Sequence, residues 1–165
     1  MIQNATPEVY MALPSETARI RQLAQEFYDA DAGRYGPCHE FNADAWSGWW
    51  ASAIEAGVGV ILYCTDTGLQ GGEPVGFIAG MLSQNPVDGE HDLTECLWFV
   101  RPDTDAPPCG MSLLSALEEV AEDSGAVRIN MCHIANKTGV RLARIFSRWG
   151  YTPVEVAYSK RIGGD

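Results

Sequence analysis

The sequence predicts a single α/β domain, on three observations. Strand-like runs alternate with helical periodicities along the whole chain. At 165 residues, 46% hydrophobic and 20% charged, the chain is long enough to bury one core and too apolar to be disordered. Residues 93–125, LTECLWFVRPDTDAPPCGMSLLSALEEVAEDSG, read as a strand, a loop rich in Pro and Asp, and an amphipathic helix. A strand that feeds a helix N-terminus in this way makes an anion site, because free backbone N–H groups and the positive end of the helix dipole point together.

The elements follow in order. Residues 9–13 form a short apolar run expected as an edge strand. Ser15 is placed as the N-cap of a helix whose inner face is Ile20, Leu23, Ala24 and Phe27. Residues 29–37 are loop-like, with Gly33 and Gly36. A second helix starts near Asn42 or Asp44. Its wide apolar face is Trp46, Trp49, Trp50, Ala53 and Ile54, and Gly57 stops it. Such a stripe is core by default, with a pocket lining as the alternative reading. Residues 58–64 and 75–82 are strands joined by the Gly-rich turn 66–73, hence a hairpin. Residues 83–92 form a polar loop.

The strand at 93–100 ends at Arg101-Pro102-Asp103, where proline removes a donor. From Gly110 the period changes, with Leu113, Leu114, Leu117, Val120 and Ala121 on one face and Ser124-Gly125 as the stop. Residues 127–134 read as a strand and 138–149 as a helix with Leu142, Ile145, Phe146 and Trp149 on its apolar side. Gly150 closes it, and residues 151–161 form a last strand bent near Pro153. No repeat, linker or second domain is visible, so residues 1–165 are expected to be one domain.

Composition narrows the partners. No apolar run reaches membrane-spanning length, and the start MIQNATPEVY has neither a basic nor an apolar leader segment, so a soluble cytoplasmic protein is expected. The 5 Cys, an odd number without paired spacing, are read as free thiols. A net charge of -11 disfavours nucleic acid and anionic membranes. The charge is uneven: beyond residue 125, seven basic residues face two acidic ones, a net +5 that leaves -16 for the rest of a chain totalling -11. An acidic body with a basic C-terminal quarter suits a cationic substrate and an anionic cofactor, or simply two solvated faces of opposite sign.

The order β-α-α-β-β-β-α-β-α-β, with LWFVRPD, GMSLLSALEEVAEDSGA and TGVRLARIFSRWGYTPVEVAYSKRI, resembles the GNAT superfamily of N-acetyltransferases. Within it the chain is most similar to small GNAT-like proteins of bacteriophages and related bacterial sequences. The resemblance implies a mixed, mostly antiparallel central sheet in which the strand at 93–100 lies internally and splays from the strand at 127–134. It also implies acetyl-CoA as cofactor. Backbone groups of the fourth strand, at Phe99 and Val100, would meet the pantetheine arm, and N–H groups at Ala106, Cys109, Gly110 and Met111, with Arg101 nearby, would hold the pyrophosphate. Arg144, which shares a helix stripe about 60° wide with Arg141 and Arg148, would take over part of the phosphate binding, the alternative being an exposed basic face.

Two departures are visible. The family's Q/R-x-x-G-x-G/A motif falls on residues 105–110, where only Gly110 agrees. Pro107 and Pro108 have no N–H to donate, and Asp103 and Asp105 bring like charge to a phosphate site. The family's thiolate-protonating Tyr falls on Phe146, which has no proton to give; Tyr158 and Tyr151 are the nearby substitutes. For the general base, Glu95 is the first choice, because burial among apolar neighbours would raise a carboxyl pKa; a strand-end carboxylate in solvent is the equal alternative. His133 is the second. Cys38-His39-Glu40 are adjacent, which is poor ligand geometry, and no metal is expected.

Two function classes follow. One is an acetyl-CoA-dependent N-acetyltransferase acting by direct transfer on an amine-bearing small molecule or protein, with a homodimer left open. The other is a non-catalytic GNAT-like binding module, or a phage structural or accessory protein, that has lost the cofactor loop.

Overall fold

A computed structural model describes residues 8–31, 40–102, 109–133 and 137–155. Five strands form one sheet: β1 (Tyr10–Met11), β2 (Gly59–Thr65), β3 (Pro74–Gln84), β4 (His91–Val100) and β5 (Arg128–Asn130), adjacent in that order. The first three pairings are antiparallel and β4–β5 is parallel. The helices are α1 (Thr17–Asp31), α2 (Ala43–Glu55), α3 (Gly110–Asp123) and α4 (Lys137–Arg148). This is the mixed, mostly antiparallel α/β domain that the sequence predicts.

Each face of the sheet buries its own layer. On one side Ile20, Leu23 and Ala24 of α1 and Trp50 of α2 pack on Ile61, Tyr63, Phe77 and Ala79. On the other, Leu113, Leu117 and Ala121 of α3 pack on Val60, Leu62, Ile78 and Leu93. Strand β4 serves both layers in an unexpected way. Ala79 pairs with Leu97 while Gly80 pairs with Glu95, so Cys96 is an extra residue, a β-bulge. The bulge reverses the side-chain alternation. Leu93 faces α3 before it; after it, Leu97 and Phe99 face α1 and α2, and Trp98 and Val100 face α3.

Several local expectations need correction. Ser15 does not cap α1. It lies in a 3₁₀ turn (Pro14–Glu16), where the Glu16 carboxylate accepts the Leu13 N–H at 2.9 Å and the Thr17 hydroxyl donates to the Pro14 carbonyl at 2.9 Å. Asn42 does cap α2, its side chain accepting the Ala45 N–H at 2.9 Å. The stripe on α2 is core at Trp50 and Ala53, but Trp49 is 54% exposed. Strand β5 is three residues long, not eight, because β4 diverges from it beyond Thr94. Residues 151–155 are not strand, and 156–161 lie outside the described residues.

The free-thiol reading also fails for one pair. Cys64 of β2 and Cys109 at the entry to α3 are joined by a disulfide across a sequence separation of 45. Gly76 on β3 makes room for it: a Cβ there would stand 2.8 Å from the Cys109 sulfur and 3.2 Å from that of Cys64. Cys96 and Cys132 are free.

Candidate functional site

The parallel pair β4–β5 holds over Asp92–Arg128, Leu93–Ile129 and Thr94–Asn130, and then the strands part. Glu95 is the first residue of β4 inside this fork. Its side chain is 4% exposed, and Oε2 accepts the Cys132 N–H at 3.1 Å, so the carboxylate spans the gap where the ladder stops. Burial pushes its carboxyl up from 4.5 to about 7, and the single N–H bond opposes that only in part. The nearby thiols of Cys96 and Cys132 are pushed up as well, by burial first and by the Glu95 charge second. Glu95 is thus a carboxyl that gains and loses a proton near neutral pH, in a site dry enough to strengthen charge interactions.

The far half of β4 has one used edge and one open edge. Arg101 N–H donates to the Val75 carbonyl at 2.9 Å, so by strand alternation Phe99 and Arg101 turn their backbone groups to β3. Trp98 and Val100 then turn theirs toward the fork. Of the backbone groups expected from sequence to meet the arm, Val100 is on the open edge, while Phe99, like Arg101, faces β3. Trp98 was missed, because nothing in LWFV reveals the bulge that sets its direction.

Above this edge lies the start of α3. Cys109 precedes the helix with no side-chain cap, and its carbonyl takes the Leu113 N–H at 2.9 Å. The earlier N–H groups, at Gly110, Met111 and Ser112, are the orphan donors of the first turn. A Cβ on Gly110 would sit 3.7 Å from Trp98 and 3.8 Å from Val100, ordinary contact distances that place the helix start directly over the open edge. Free strand-edge donors, an uncapped helix start and a carboxyl near neutrality fit an acyl-thioester cofactor with a pyrophosphate. Residues 103–108, including the Pro107-Pro108 loop, lie outside the described residues, as does Tyr158.

The remaining candidates are placed differently. The Arg101 guanidinium is committed to Glu26 of α1, with Nε and Nη2 each 2.7 Å from its carboxylate and Glu73 at 3.8 Å. That pairing holds the Glu26 carboxyl below its ordinary range. Arg144 is exposed and lies across α4 from the buried Phe146, in a shallow groove with Val140, Ala143, Ser147 and Arg148. The Phe146 ring lies 6.1 Å from Trp98, 6.3 Å from His133 and 5.7 Å from Tyr151. His133 therefore borders the mouth of the fork rather than its base. The Tyr151 hydroxyl donates to Glu118 at 2.9 Å, and burial together with that carboxylate raises its pKa, which makes it a poor proton donor.

No protein-family model matches the sequence, and no curated protein matches it. Solved structures do match in shape. An integron cassette protein from the mobile metagenome of Cole Harbour Salt Marsh superposes with a TM-score of 0.71 at 20% identity, covering 100% of this chain and 97% of that one. An aminoglycoside acetyltransferase from an uncultured soil metagenomic sample gives 0.71 at 16% identity, covering 94% and 98%. A ribosomal-protein-alanine N-acetyltransferase from Brucella melitensis biovar Abortus 2308 gives 0.69 at 13% identity, covering 94% and 99%. With its element order and the parting of β4 from β5, the chain has the fold of these acetyltransferases, the GNAT fold that the sequence resemblance implies.

Proposed function

We propose that the protein is an acetyl-CoA-dependent N-acetyltransferase that acts on an amine by direct transfer, with Glu95 as its general base. The observation that carries this reading is the Glu95 carboxyl: 4% exposed, at the base of the fork, with its pKa pushed up to about 7. A buried carboxyl near neutrality costs stability at neutral pH, and active sites are where such costs are commonly met. Acetyl-CoA, when bound, supplies an activated thioester. Orphan N–H groups at Gly110 and Met111 would bind phosphate oxygens at the positive end of α3. The N–H groups of Trp98 and Val100, on the open edge of β4, would orient the arm and donate to a carbonyl oxygen. Glu95 would take the proton from an ammonium, directly or through water, and leave a neutral amine to attack.

The acceptor is proposed to be a cationic amine, which suits a chain of net charge -11. Solved acetyltransferases of the same fold, among them those with aminoglycoside and ribosomal-protein-alanine in their names, support the class of reaction. Phe146 and the Arg101–Glu26 pair favour the second reading, a non-catalytic binding module, since neither a thiolate acid nor a free loop arginine stands at its expected place. An acetyl-transfer assay with free CoA as the readout and a panel of polyamines, aminoglycosides and peptide N-termini separates the two. Thioester turnover that requires an amine supports the enzyme. Acetyl-CoA binding without turnover on any amine supports the module.

A further inference from the structure

The fork needs something to fix where it opens. A three-residue parallel pairing is a weak clasp, yet β5 is held by a dense set of side-chain bonds at that point. Asp92 of β4 is 7% exposed, and its carboxylate collects Arg128 Nε at 2.8 Å, Asn85 Nδ2 at 3.0 Å and Asn130 Nδ2 at 3.5 Å. The other two nitrogens of Arg128 reach Asp88 at 2.8 and 3.1 Å, in the loop between β3 and β4. Asn130 also lies 3.4 Å from the Thr94 hydroxyl, and Val127 N–H donates to the His91 carbonyl at 2.8 Å. Apart from the Arg128–Asp88 pair, which joins β5 to the β3–β4 loop, these bonds converge on the first four residues of β4. The next bond along, from the Cys132 N–H, goes to Glu95.

We propose that Asp92 and Arg128 are positioning residues for Glu95: they fix the strand register at the base of the fork and so hold the Cys132 N–H on the Glu95 carboxylate. The inference rests on the reading of Glu95 as the base. Asp92 is suited to the task because a charge-assisted bond from an arginine fork fixes direction as well as distance. The Asn85 amide and Arg128 hold the Asp92 carboxyl below its ordinary range, and Arg128 and the Glu90 N–H do the same for Asp88, so the clasp stays charged where Glu95 titrates. Inside the fork the titratable neighbours of Glu95 are Cys96 and Cys132, both with raised pKa, and Glu155, which acts on Cys132. From α3 the apolar side chains Leu113, Leu117 and Ala121 enter this layer, while the carboxylate of Glu118 on the same helix takes the Tyr151 hydroxyl.

The test is nuclear magnetic resonance of the full chain. In the wild type the Cys132 amide resonance should move with pH at the same midpoint as the Glu95 side-chain carboxyl. In Arg128→Leu that coupling should vanish, the Cys132 amide should exchange at least about 10-fold faster, and the Glu95 midpoint should fall toward 4.5 as water enters. Asp88→Asn, which leaves the Arg128–Asp92 bond in place, should behave as the wild type. Asn130→Ala gives an intermediate form of the same response should Arg128→Leu fail to fold, because Asn130 is half-buried and its bonds are long. A Cys132 amide that tracks Glu95 in folded Arg128→Leu, or that tracks it in Asn130→Ala as fully as in the wild type, overturns the proposal. Turnover separates this from the enzyme reading: an inactive wild type whose Glu95 still responds to Arg128→Leu sinks the catalytic role and keeps the positioning. An active enzyme in which Arg128→Leu leaves Glu95 and kcat untouched sinks the positioning alone.

Discussion

Replacing Glu95 with Gln removes one titration from the core and should change how stability depends on pH. The folded protein holds the Glu95 carboxyl at about 7, against an ordinary 4.5 when exposed, which corresponds to roughly 3 kcal/mol. The sign follows from proton binding. Between these two values the folded state binds more protons than the unfolded one, so folding favours the protonated form. The contribution is fully present below about pH 4.5 and is lost as pH rises through about 7. At 4% exposure little solvent screening intervenes. Glutamine keeps the shape, and its amide oxygen can still accept the Cys132 N–H. The assay is urea unfolding of both proteins from about pH 4.5 to about pH 8, with the difference in unfolding free energy plotted against pH. Titrations common to both proteins cancel in that difference. Glu95→Gln should gain on the wild type by about 2 to 3 kcal/mol across the range, with the steepest change midway between the two values, at about pH 6, and a plateau above about pH 7. A difference that stays flat within about 0.5 kcal/mol would show that Glu95 is hydrated and ordinary, and the base assignment would lose its footing.

Other consequences are as specific. Gly110→Ala should leave acetyl-CoA affinity nearly unchanged in calorimetry, because a Cβ there has 3.7 Å of clearance, whereas Gly110→Asp should abolish binding by setting a like charge against phosphate at the start of α3. Phe146→Tyr should change turnover little, or raise it by up to about 10²-fold, the lower end of what a general acid gives. Phe146→Ala should lower stability by about 3 kcal/mol, since the ring is 6% exposed and packed on Trp98 and Tyr151. Arg101→Met should lower the unfolding free energy by about 1 to 2 kcal/mol, through loss of the bidentate, half-exposed Glu26 pair, while acetyl-CoA affinity stays within about twofold because the side chain points to α1.

The parts of the fold that were legible in sequence are those with local causes. Gly57, Gly125 and Gly150 mark helix ends, and all three take positive φ, at 70°, 72° and 88°. Leu113, Leu114 and Leu117 are wholly buried on α3, and the Gly-rich turn after β2 does close a hairpin. Glu95 was only half legible: its apolar neighbours in LTECLWFV suggested burial, but an alternating strand could equally have turned it to solvent, and the fold makes it 4% exposed. What stayed hidden depends on pairing between distant segments. The bulge at Cys96 turns Trp98 rather than Leu97 toward α3, and no residue type announces it. Arg101 looked like a phosphate ligand beside the loop until the fold brought Glu26, 75 residues away, against it. Cys64 and Cys109 showed no motif spacing, because their meeting depends on how α3 lies over β2 and on Gly76 leaving space. Strand β5 read as eight residues since its apolar run continues, whereas its partner does not.

The most direct test of the account is a calorimetric titration of the full-length protein with acetyl-CoA, repeated with Gly110→Asp. The account predicts saturable one-to-one binding to the wild type and none to the variant. At a hundredfold excess over the dissociation constant, binding should add about 2.7 kcal/mol of stability, a rise of a few degrees in Tm. No heat and no Tm shift at about millimolar acetyl-CoA, in protein that is folded by circular dichroism, would contradict the cofactor assignment, and with it the reading of the β4–β5 fork as a transferase site.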